Sequence, residues 1–538
     1  MSRICVSRLW QEHFHVCSQC RLSGLLKQRA QRSFHTTTAR KSLLSLLEGR
    51  GYVNQIAGDR DALDRLLQKR KVGFYAGIDP TAPSLHLGHL LPLMVLFWLY
   101  RHGHHVVSLV GGATAKVGDP SGRLTSRAAA TESTIDANFR ALHAQIGGVW
   151  ENAIQYGRRH GDKAENAGRR ELLNNAAWLD KLSILDFLRI MGNGMRVGTM
   201  LGRDTVKNKM EKGDGMSFAE FTYPLLQGWD WWQMYQEKGV QIQIGGSDQY
   251  GNIIAGMDAV KYIAQSEAGS AHSQEWLDTD GRLKDELVPM GLTVPLLTTS
   301  SGEKFGKSAG NAVWLDRDLT SSFDLYGFLL RSSDADVRRY LKLFTFVPVE
   351  EIDDLMIEHA ADPGKRKAQH LLASEVLELV HGPEEAVKTR AEHQSMRKPT
   401  LGSLASSSAD AASDQSASGA QAAQRTRLPK SLVYNTPFGR IFYHAGLVST
   451  KSEGARLVTK GGAYVATPGE QSADQSGGLN FVQVKDQQPA EIEGLVMGGL
   501  LVLRLGKWKV RVIEVVDDAD YESSGQSAPG WTDFKASR

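Results

Sequence analysis

Apolar and polar residues change rhythm repeatedly along this chain. Val72 to Ile78 is a short apolar run closed by Asp79-Pro80, and a helical pattern follows from about Gly88 to Arg101. His105 to Val110 runs into Gly111-Gly112, and Gln241 to Ile244 runs into Gly245-Gly246 and a further helical stretch. Strands alternating with helices predict an α/β domain whose parallel sheet is covered on both faces. Ligands of such a sheet bind at the carboxyl ends of its strands, where these Gly-rich and polar turns fall. Beyond Val294-Pro-Leu-Leu297, a polar Gly/Lys loop leads into charged, mostly helical sequence from Ser321 to about Arg397. Residues 399–428, dominated by Ser, Ala and Gln, lack the apolar content of a core and read as a flexible linker. From Lys430 the pattern resumes: a helical Gly454-Ala-Arg-Leu-Val, a turn at Lys460-Gly461-Gly462, and strand-like Leu500 to Arg504 and Val510 to Val515 predict a small final domain.

With 538 residues, 41% of them hydrophobic, the chain accommodates roughly two to four globular domains. Its longest apolar run, Leu90 to Tyr100, contains Pro92 and falls short of the roughly 20 residues that span a bilayer, so no membrane segment is expected. The formal charge of +3 conceals an asymmetry: residues 1–41 hold eight Lys and Arg against Glu12 alone, which leaves the remainder at −4. An Arg-rich, Ser/Thr-containing, acid-poor start without an apolar signal-peptide core predicts a mitochondrial transit peptide and a destination in the mitochondrial matrix. A disordered basic arm is the competing reading. Arg32-Ser-Phe-His-Thr-Thr37 resembles a two-step matrix-processing signal that would start the mature chain near Ser42. Cys5, Cys17 and Cys20 all fall within this segment, so neither disulfides nor thiolate metal sites are expected in the mature chain.

Tyr223-Pro-Leu-Leu-Gln227-Gly-Trp-Asp230 sets a phenol, an amide and a carboxylate where apolar helix residues would otherwise stand. Their spacing puts them on one helix face, aimed into one pocket. An ordinary polar stripe has the same spacing and stays open as an alternative. His86-Leu-Gly88-His89 at a helix start places two imidazoles one turn apart, beside backbone N–H groups that favour anions such as phosphate. A purely structural cap competes with this reading, as does a zinc site, for which no third ligand stands nearby. Lys304-Phe-Gly-Lys307-Ser lies in a loop after a strand, where two ammonium groups reach a polyphosphate. A P-loop is a poor fit, because its fingerprint needs glycine at Ser301 and Gly302 comes one residue late.

In that order, the His-x-Gly-His and Lys-x-x-Lys-Ser motifs resemble the two signatures of class I aminoacyl-tRNA synthetases. Flanked by Tyr75-Ala-Gly-Ile-Asp79-Pro-Thr81, Gly111-Gly-Ala-Thr-Ala-Lys-Val-Gly-Asp119-Pro-Ser, the 223–230 octet and Gly245-Gly-Ser-Asp-Gln249-Tyr-Gly-Asn252, they resemble the bacterial-type tyrosyl-tRNA synthetases. The likeness runs from about Ser45 to Val515, with the linker and a polar insertion at 265–287 as departures. It implies that Tyr75 and Asp230 meet the phenol of L-tyrosine, and that Asp119, Tyr223 and Gln227 hold its α-ammonium with Gln249 nearby. Physics agrees, since a carboxylate buried opposite a phenol is satisfied by the O–H and left unpaired by phenylalanine. The resemblance further implies that Thr81 and His86 contact the leaving phosphates of ATP, that Asp79, Gly88 and His89 meet the rest of the nucleotide, and that Lys304 and Lys307 clamp the pyrophosphate. Arg123 and Arg127 match the family's mobile cationic loop, although lysine is common at 123; solvated loop arginines are the alternative. Mg²⁺ is expected to accompany ATP as substrate, with no tightly bound cofactor and no dedicated metal site.

The implied layout is a transit peptide at 1–41, a Rossmann-like catalytic domain at 42–318 with the lysine loop at 300–310, and an α-helical anticodon-binding domain at 319–397. A disordered linker at 398–428, a small α+β domain at 429–520 and a tail at 521–538 complete it. The small domain resembles the RNA-binding fold named after the fourth small-subunit ribosomal protein, through Leu447 to Val458 and Gly461-Gly-Ala-Tyr464-Val, with Lys451, Arg456 and Lys460 meeting RNA phosphates. A solvated cationic face is the alternative. The expected activity is mitochondrial tyrosine–tRNA ligation, with tRNA(Tyr) as partner and a homodimer as assembly. Tryptophanyl-tRNA synthetase, a small-molecule adenylyltransferase, and an RNA-binding factor assisting mitochondrial intron splicing are the rival readings.

Overall fold

The computed structural model describes residues 42–126, 130–266, 273–298, 313–397, 424–434, 436–467, 480–484, 492–506 and 509–532. Strands β1 (Gln55–Ala57), β2 (Gly73–Ile78), β3 (His105–Val110), β4 (Arg170–Asn174), β5 (Val240–Gly246) and β6 (Met290–Val294) form one six-stranded sheet in the order β1-β6-β5-β2-β3-β4. All neighbours are parallel except β1, which runs antiparallel to β6. The chain steps from β2 outward to β3 and β4, then returns to the other side of β2 with β5. This reversal opens a crevice at the carboxyl ends of β2 and β5, the position where ligands of open α/β sheets bind.

Strand alternation sorts side chains between the two covered faces. Phe74, Ala76 and Ile78 of β2 join a core with the helix Leu90–Arg101 and with Trp150 and Tyr156 of the long helix Glu132–Arg159. Tyr75, between them, turns to the opposite face, against Trp231 and Trp232 of the helix Phe218–Lys238 and Ile253 and Val260 of the helix Tyr250–Ser266. The Phe218–Lys238 helix is bounded as its sequence dictates: Ser217 and Glu220 form a capping box at the start, and Gly239, with φ 66°, closes the end.

Five helices, Ser322–Leu330, Asp334–Phe344, Val349–Ala361, Lys367–His381 and Pro383–Arg397, form the predicted helical domain. It shares one apolar core with the sheet domain. Buried Glu375 fixes the junction by accepting hydrogen bonds from Tyr156 Oη at 2.7 Å and Arg159 Nη2 at 2.6 Å.

The last domain carries a second sheet of β7 (Gln424–Pro429), β8 (Ala463–Thr467), β9 (Asn480–Gln483), β10 (Leu500–Leu505) and β11 (Lys509–Val516), in the order β7-β11-β10-β8-β9. It corrects two expected boundaries. The linker expected over 398–428 is a strand from Gln424 onward, because Arg425 to Pro429 pair in parallel with β11; the rest of that linker lies outside the described residues. The expected tail is not a tail, since Tyr521, Ala528 and Trp531 are buried in the domain's core. In the sheet domain, the described part of the 265–287 insertion packs on the Phe218–Lys238 helix: Trp276 meets the rings of Trp232 and Tyr235, and Leu283 is buried. The transit-peptide segment lies outside the described residues. Among the described residues, no helix is long and apolar enough to cross a membrane.

Candidate active site

The crevice is floored by two hydrogen-bonded chains of polar side chains. The first begins at Tyr223, whose Oη donates to Asp79 Oδ2 at 2.6 Å, while Thr114 Oγ1 donates to Asp79 Oδ1 at 2.8 Å. Asn175 Nδ2 then links Thr114 Oγ1, at 2.9 Å, to Asp230 Oδ2, at 3.0 Å. Trp178 Nε1 completes the chain by donating to Asp230 Oδ1 at 2.7 Å. Gly111 makes this approach possible: a Cβ there would lie 1.9 Å from Asp79 Oδ1, so the glycine after β3 is required by the carboxylate after β2.

The second chain surrounds Asp119. Gln249 Nε2 donates to Asp119 Oδ2 at 2.6 Å, and Gln227 Nε2 donates to Gln249 Oε1 at 3.3 Å. Asn252 Nδ2 contributes to Gln227 Oε1 at 3.1 Å and to Ser121 Oγ at 3.0 Å. The Phe218–Lys238 helix therefore does present Tyr223, Gln227 and Asp230 to one crevice, but feeds them into two networks. Asp79, expected on the nucleotide side, is joined directly to Tyr223 of the expected ammonium site.

Asp230 is 3% exposed, and burial pushes its carboxyl up to about 7, against the pull of the hydrogen bonds from Asn175 and Trp178. Tyr75 is 1% exposed, and its hydroxyl finds no hydrogen-bond partner among the described residues. Burial, then the Asp230 charge, holds its phenol well above the ordinary tyrosine value. A ligand hydroxyl set between this phenol and the Asp230 carboxyl would satisfy a buried group that is otherwise costly.

His86 caps the short helical turn Leu87–His89 ahead of Leu90–Arg101. Its Nδ1 accepts from the Gly88 amide at 3.1 Å, and His89 Nδ1 accepts from the His86 amide at 3.2 Å. The two rings stack with centroids 3.7 Å apart. With each Nδ1 accepting, a neutral ring carries its proton on Nε2, which makes both imidazoles donors suited to phosphate oxygens. Thr81 lies just beyond β2, its amide donating to the Asp79 carbonyl at 2.8 Å. Arg123 is exposed on the turn after Pro120. Arg127, Lys304 and Lys307 lie outside the described residues.

Sequence reasoning missed Asn175, Trp178, Thr114 and Asn252. Asn252 and Thr114 stood inside quoted motifs without a role. Asn175 and Trp178 follow β4, whose sequence Arg-Glu-Leu-Leu-Asn is too polar and too short to announce a strand. The adjacent Asn174-Asn175 pair was the available signal of a strand's carboxyl end.

The family model for class I tRNA synthetases (W and Y) matches residues 67–397, and that for the tyrosyl-tRNA synthetase C-terminal domain matches residues 416–533. The mitochondrial tyrosine–tRNA ligase of Podospora anserina is 46% identical over 492 residues, covering 89% of this chain and 76% of that protein. The chain belongs to the class I tyrosyl-tRNA synthetase family. The human mitochondrial tyrosine–tRNA ligase, 35% identical, covers 88% of this chain and 92% of its own length. A C-terminally truncated mitochondrial tyrosyl-tRNA synthetase from Aspergillus nidulans superposes with a TM-score of 0.60 at 46% identity, over 70% of this chain and 98% of that one. The Rossmann-like sheet of the synthetase family thus carries the two polar networks at its switch point. The C-terminal family model also begins before β7, in agreement with the corrected boundary of the last domain. In that domain, Lys451, Arg456 and Lys460 are exposed on and just after the helix Lys451–Thr459.

Proposed function

We infer that this protein is a mitochondrial tyrosine–tRNA ligase, which activates L-tyrosine with ATP and transfers it to the 3′ end of tRNA. The observation that carries the reading is the pairing of buried Asp230 with the unpartnered Tyr75 hydroxyl at the sheet's switch point. A phenolic O–H donating to Asp230 and accepting from Tyr75 satisfies both; phenylalanine satisfies neither, and an indole sets its N–H elsewhere. The α-ammonium is held by Asp79, Tyr223, Asp119 and Gln227, with Gln249 bracing Asp119.

In the first step a tyrosine carboxylate oxygen attacks the α-phosphorus of ATP, the bond to the β-phosphate oxygen breaks, and pyrophosphate leaves. No enzyme nucleophile is needed, so the protein's contribution is orientation and stabilisation of developing phosphate charge. His86 and Thr81 face the leaving phosphates, Gly88 and His89 the remainder of the nucleotide, and Lys304, Lys307, Arg123 and Arg127 supply positive charge for them. Mg²⁺ enters as part of the nucleotide substrate. In the second step a hydroxyl of the terminal ribose of tRNA attacks the tyrosyl carbonyl and AMP departs.

The arginine-rich leader supports action in the mitochondrial matrix on mitochondrial tRNA(Tyr), with Lys451, Arg456 and Lys460 on its phosphates. Segment 184–218 exposes Leu185 at 75% and Phe218 at 76%, with Ile184, Val197 and Met210 also open to solvent. An apolar surface of this kind supports a homodimer joined there. Amino-acid-dependent pyrophosphate exchange tests the central reading: tyrosine supports exchange and phenylalanine and tryptophan do not, whereas exchange with tryptophan in preference to tyrosine overturns it.

A further inference from the structure

A fully buried ammonium lies outside the chemistry described so far. Lys209, on the helix Asp204–Lys212, is 0% exposed. Burying a lysine is costly unless its charge is paired and hydrogen-bonded. Here Nζ forms an ion pair with Glu220 Oε1, donates to Ser126 Oγ at 2.9 Å and lies 3.9 Å from Asp214 Oδ1. Glu220 belongs to the capping box of the substrate-binding helix Phe218–Lys238, accepting from the Ser217 amide at 3.0 Å. Ser126 belongs to the loop that leaves Asp119 and carries Arg123.

The loop is fastened at the same place by its backbone. The Ser126 amide donates to Asp214 Oδ2 at 2.8 Å, and the Asp214 amide donates to the Leu124 carbonyl at 3.3 Å. Gly213 lets the two segments touch, since a Cβ there would fall 2.1 Å from that carbonyl oxygen. Lys209 thus joins two elements that serve opposite ends of the reaction. One is the first turn of the helix presenting Tyr223, Gln227 and Asp230 to the amino acid; the other is the cationic loop facing the nucleotide.

We propose that Lys209 is a positioning residue for adenylate formation, acting with Glu220 and Ser126 as a latch that fixes the Arg123 loop to the tyrosine-binding helix. The proposal rests on the ligase reading. Its role concerns the chemical step rather than tyrosine affinity, because the tyrosine contacts lie further along the helix and are held by their own networks.

The test uses the full-length protein carrying Ser126→Ala, Lys209→Met or Lys209→Arg, with pyrophosphate-exchange kinetics, tyrosine Kd and thermal midpoint measured on each. Ser126→Ala removes the side-chain tie of the loop to Lys209 and Glu220, leaving the Lys209–Glu220 pair balanced and the backbone bonds to Asp214 and Leu124 in place. It lowers kcat for exchange roughly fivefold or more, with tyrosine Kd and thermal midpoint unchanged. Lys209→Met loses more, and Lys209→Arg, which keeps the charge, recovers most of the rate. Wild-type exchange rates in Ser126→Ala overturn the latch, as does a rate loss in all three variants that simply follows a fall in thermal midpoint or an equal rise in tyrosine Kd. Failure of the wild-type protein itself to exchange with tyrosine would instead remove the ligase reading beneath it.

Discussion

The proposed tyrosine pocket and the proposed RNA-contacting face of the last domain hold their charges by opposite means. In the first, charge is committed in advance: buried Asp230 is held by Asn175 and Trp178, and half-buried Asp79 by Tyr223 and Thr114. On the Lys451–Thr459 helix, Lys451 and Arg456 stand exposed, with Lys460 just beyond. Removing one member of a buried network leaves others desolvated and unpaired, whereas removing one solvated cation loses a single screened attraction. The first arrangement suits discrimination between ligands that differ by one oxygen; the second suits accumulating affinity for a polyanion and positioning it.

The contrast breaks most visibly at Asp230. Asp230→Ala is expected to weaken L-tyrosine binding by about 1.5–3 kcal/mol, roughly 10- to 150-fold, the range for a hydrogen bond to a charged group. Calorimetric titration of tyrosine checks it, and an unchanged Kd would detach the carboxylate from recognition. Tyr75→Phe comes next, at roughly 2- to 12-fold from the loss of one neutral hydrogen bond of about 0.5–1.5 kcal/mol. Because the Tyr75 hydroxyl has no partner among the described residues, the same substitution leaves the thermal midpoint of the ligand-free protein unchanged or higher.

A titration sharpens the comparison further. On the ligase reading the ionised form of Asp230 accepts the substrate O–H, so tyrosine affinity measured across pH is expected to rise through a midpoint near 7. Asn175→Ala removes a hydrogen bond that lowers this value and shifts the midpoint upward. The sign for stability is opposite. A buried carboxyl raised from 3.8 to about 7 keeps its proton in the folded state after the unfolded chain has lost it, so its contribution to stability falls as pH rises from about 4 to 7. Asp230→Asn flattens that part of the pH–stability curve in the ligand-free protein. The smallest effect belongs to the last domain, where Arg456→Gln weakens tRNA binding a few-fold and reduces the slope of log affinity against log salt by about one. A loss in that variant that does not vary with salt would remove Arg456 from the phosphate contacts.

The same contrast explains what could be read without coordinates. Strands β2, β3 and β5 were legible because apolar runs ended at Asp79-Pro80 or at paired glycines, and the octet's helix because its polar groups share a face. Neither β4 nor β1 carries such a pattern: β4 is a polar edge strand and β1 spans only Gln55–Ala57. The partners that β4 delivers to Asp230 were hidden with it. Local spacing placed Tyr223, Gln227 and Asp230 on one helix face, but the support of Asp230 comes from Asn175, 55 residues away, and from Thr114, a further 61 residues from Asn175, separations that only the sheet order closes. The boundary error at 424–428 has a related cause. Gln424 to Leu428 is polar on average, and only pairing with β11 makes it a strand.

The central claim, that Asp230 and Tyr75 together receive the phenol of tyrosine, is tested most directly by a crystal structure of the full-length protein with L-tyrosine bound. The phenolic oxygen is expected within hydrogen-bond distance, roughly 2.6–3.0 Å, of both the Asp230 carboxylate and the Tyr75 hydroxyl. A tyrosine ring seated elsewhere, with the Tyr75 hydroxyl still unpartnered, would contradict it.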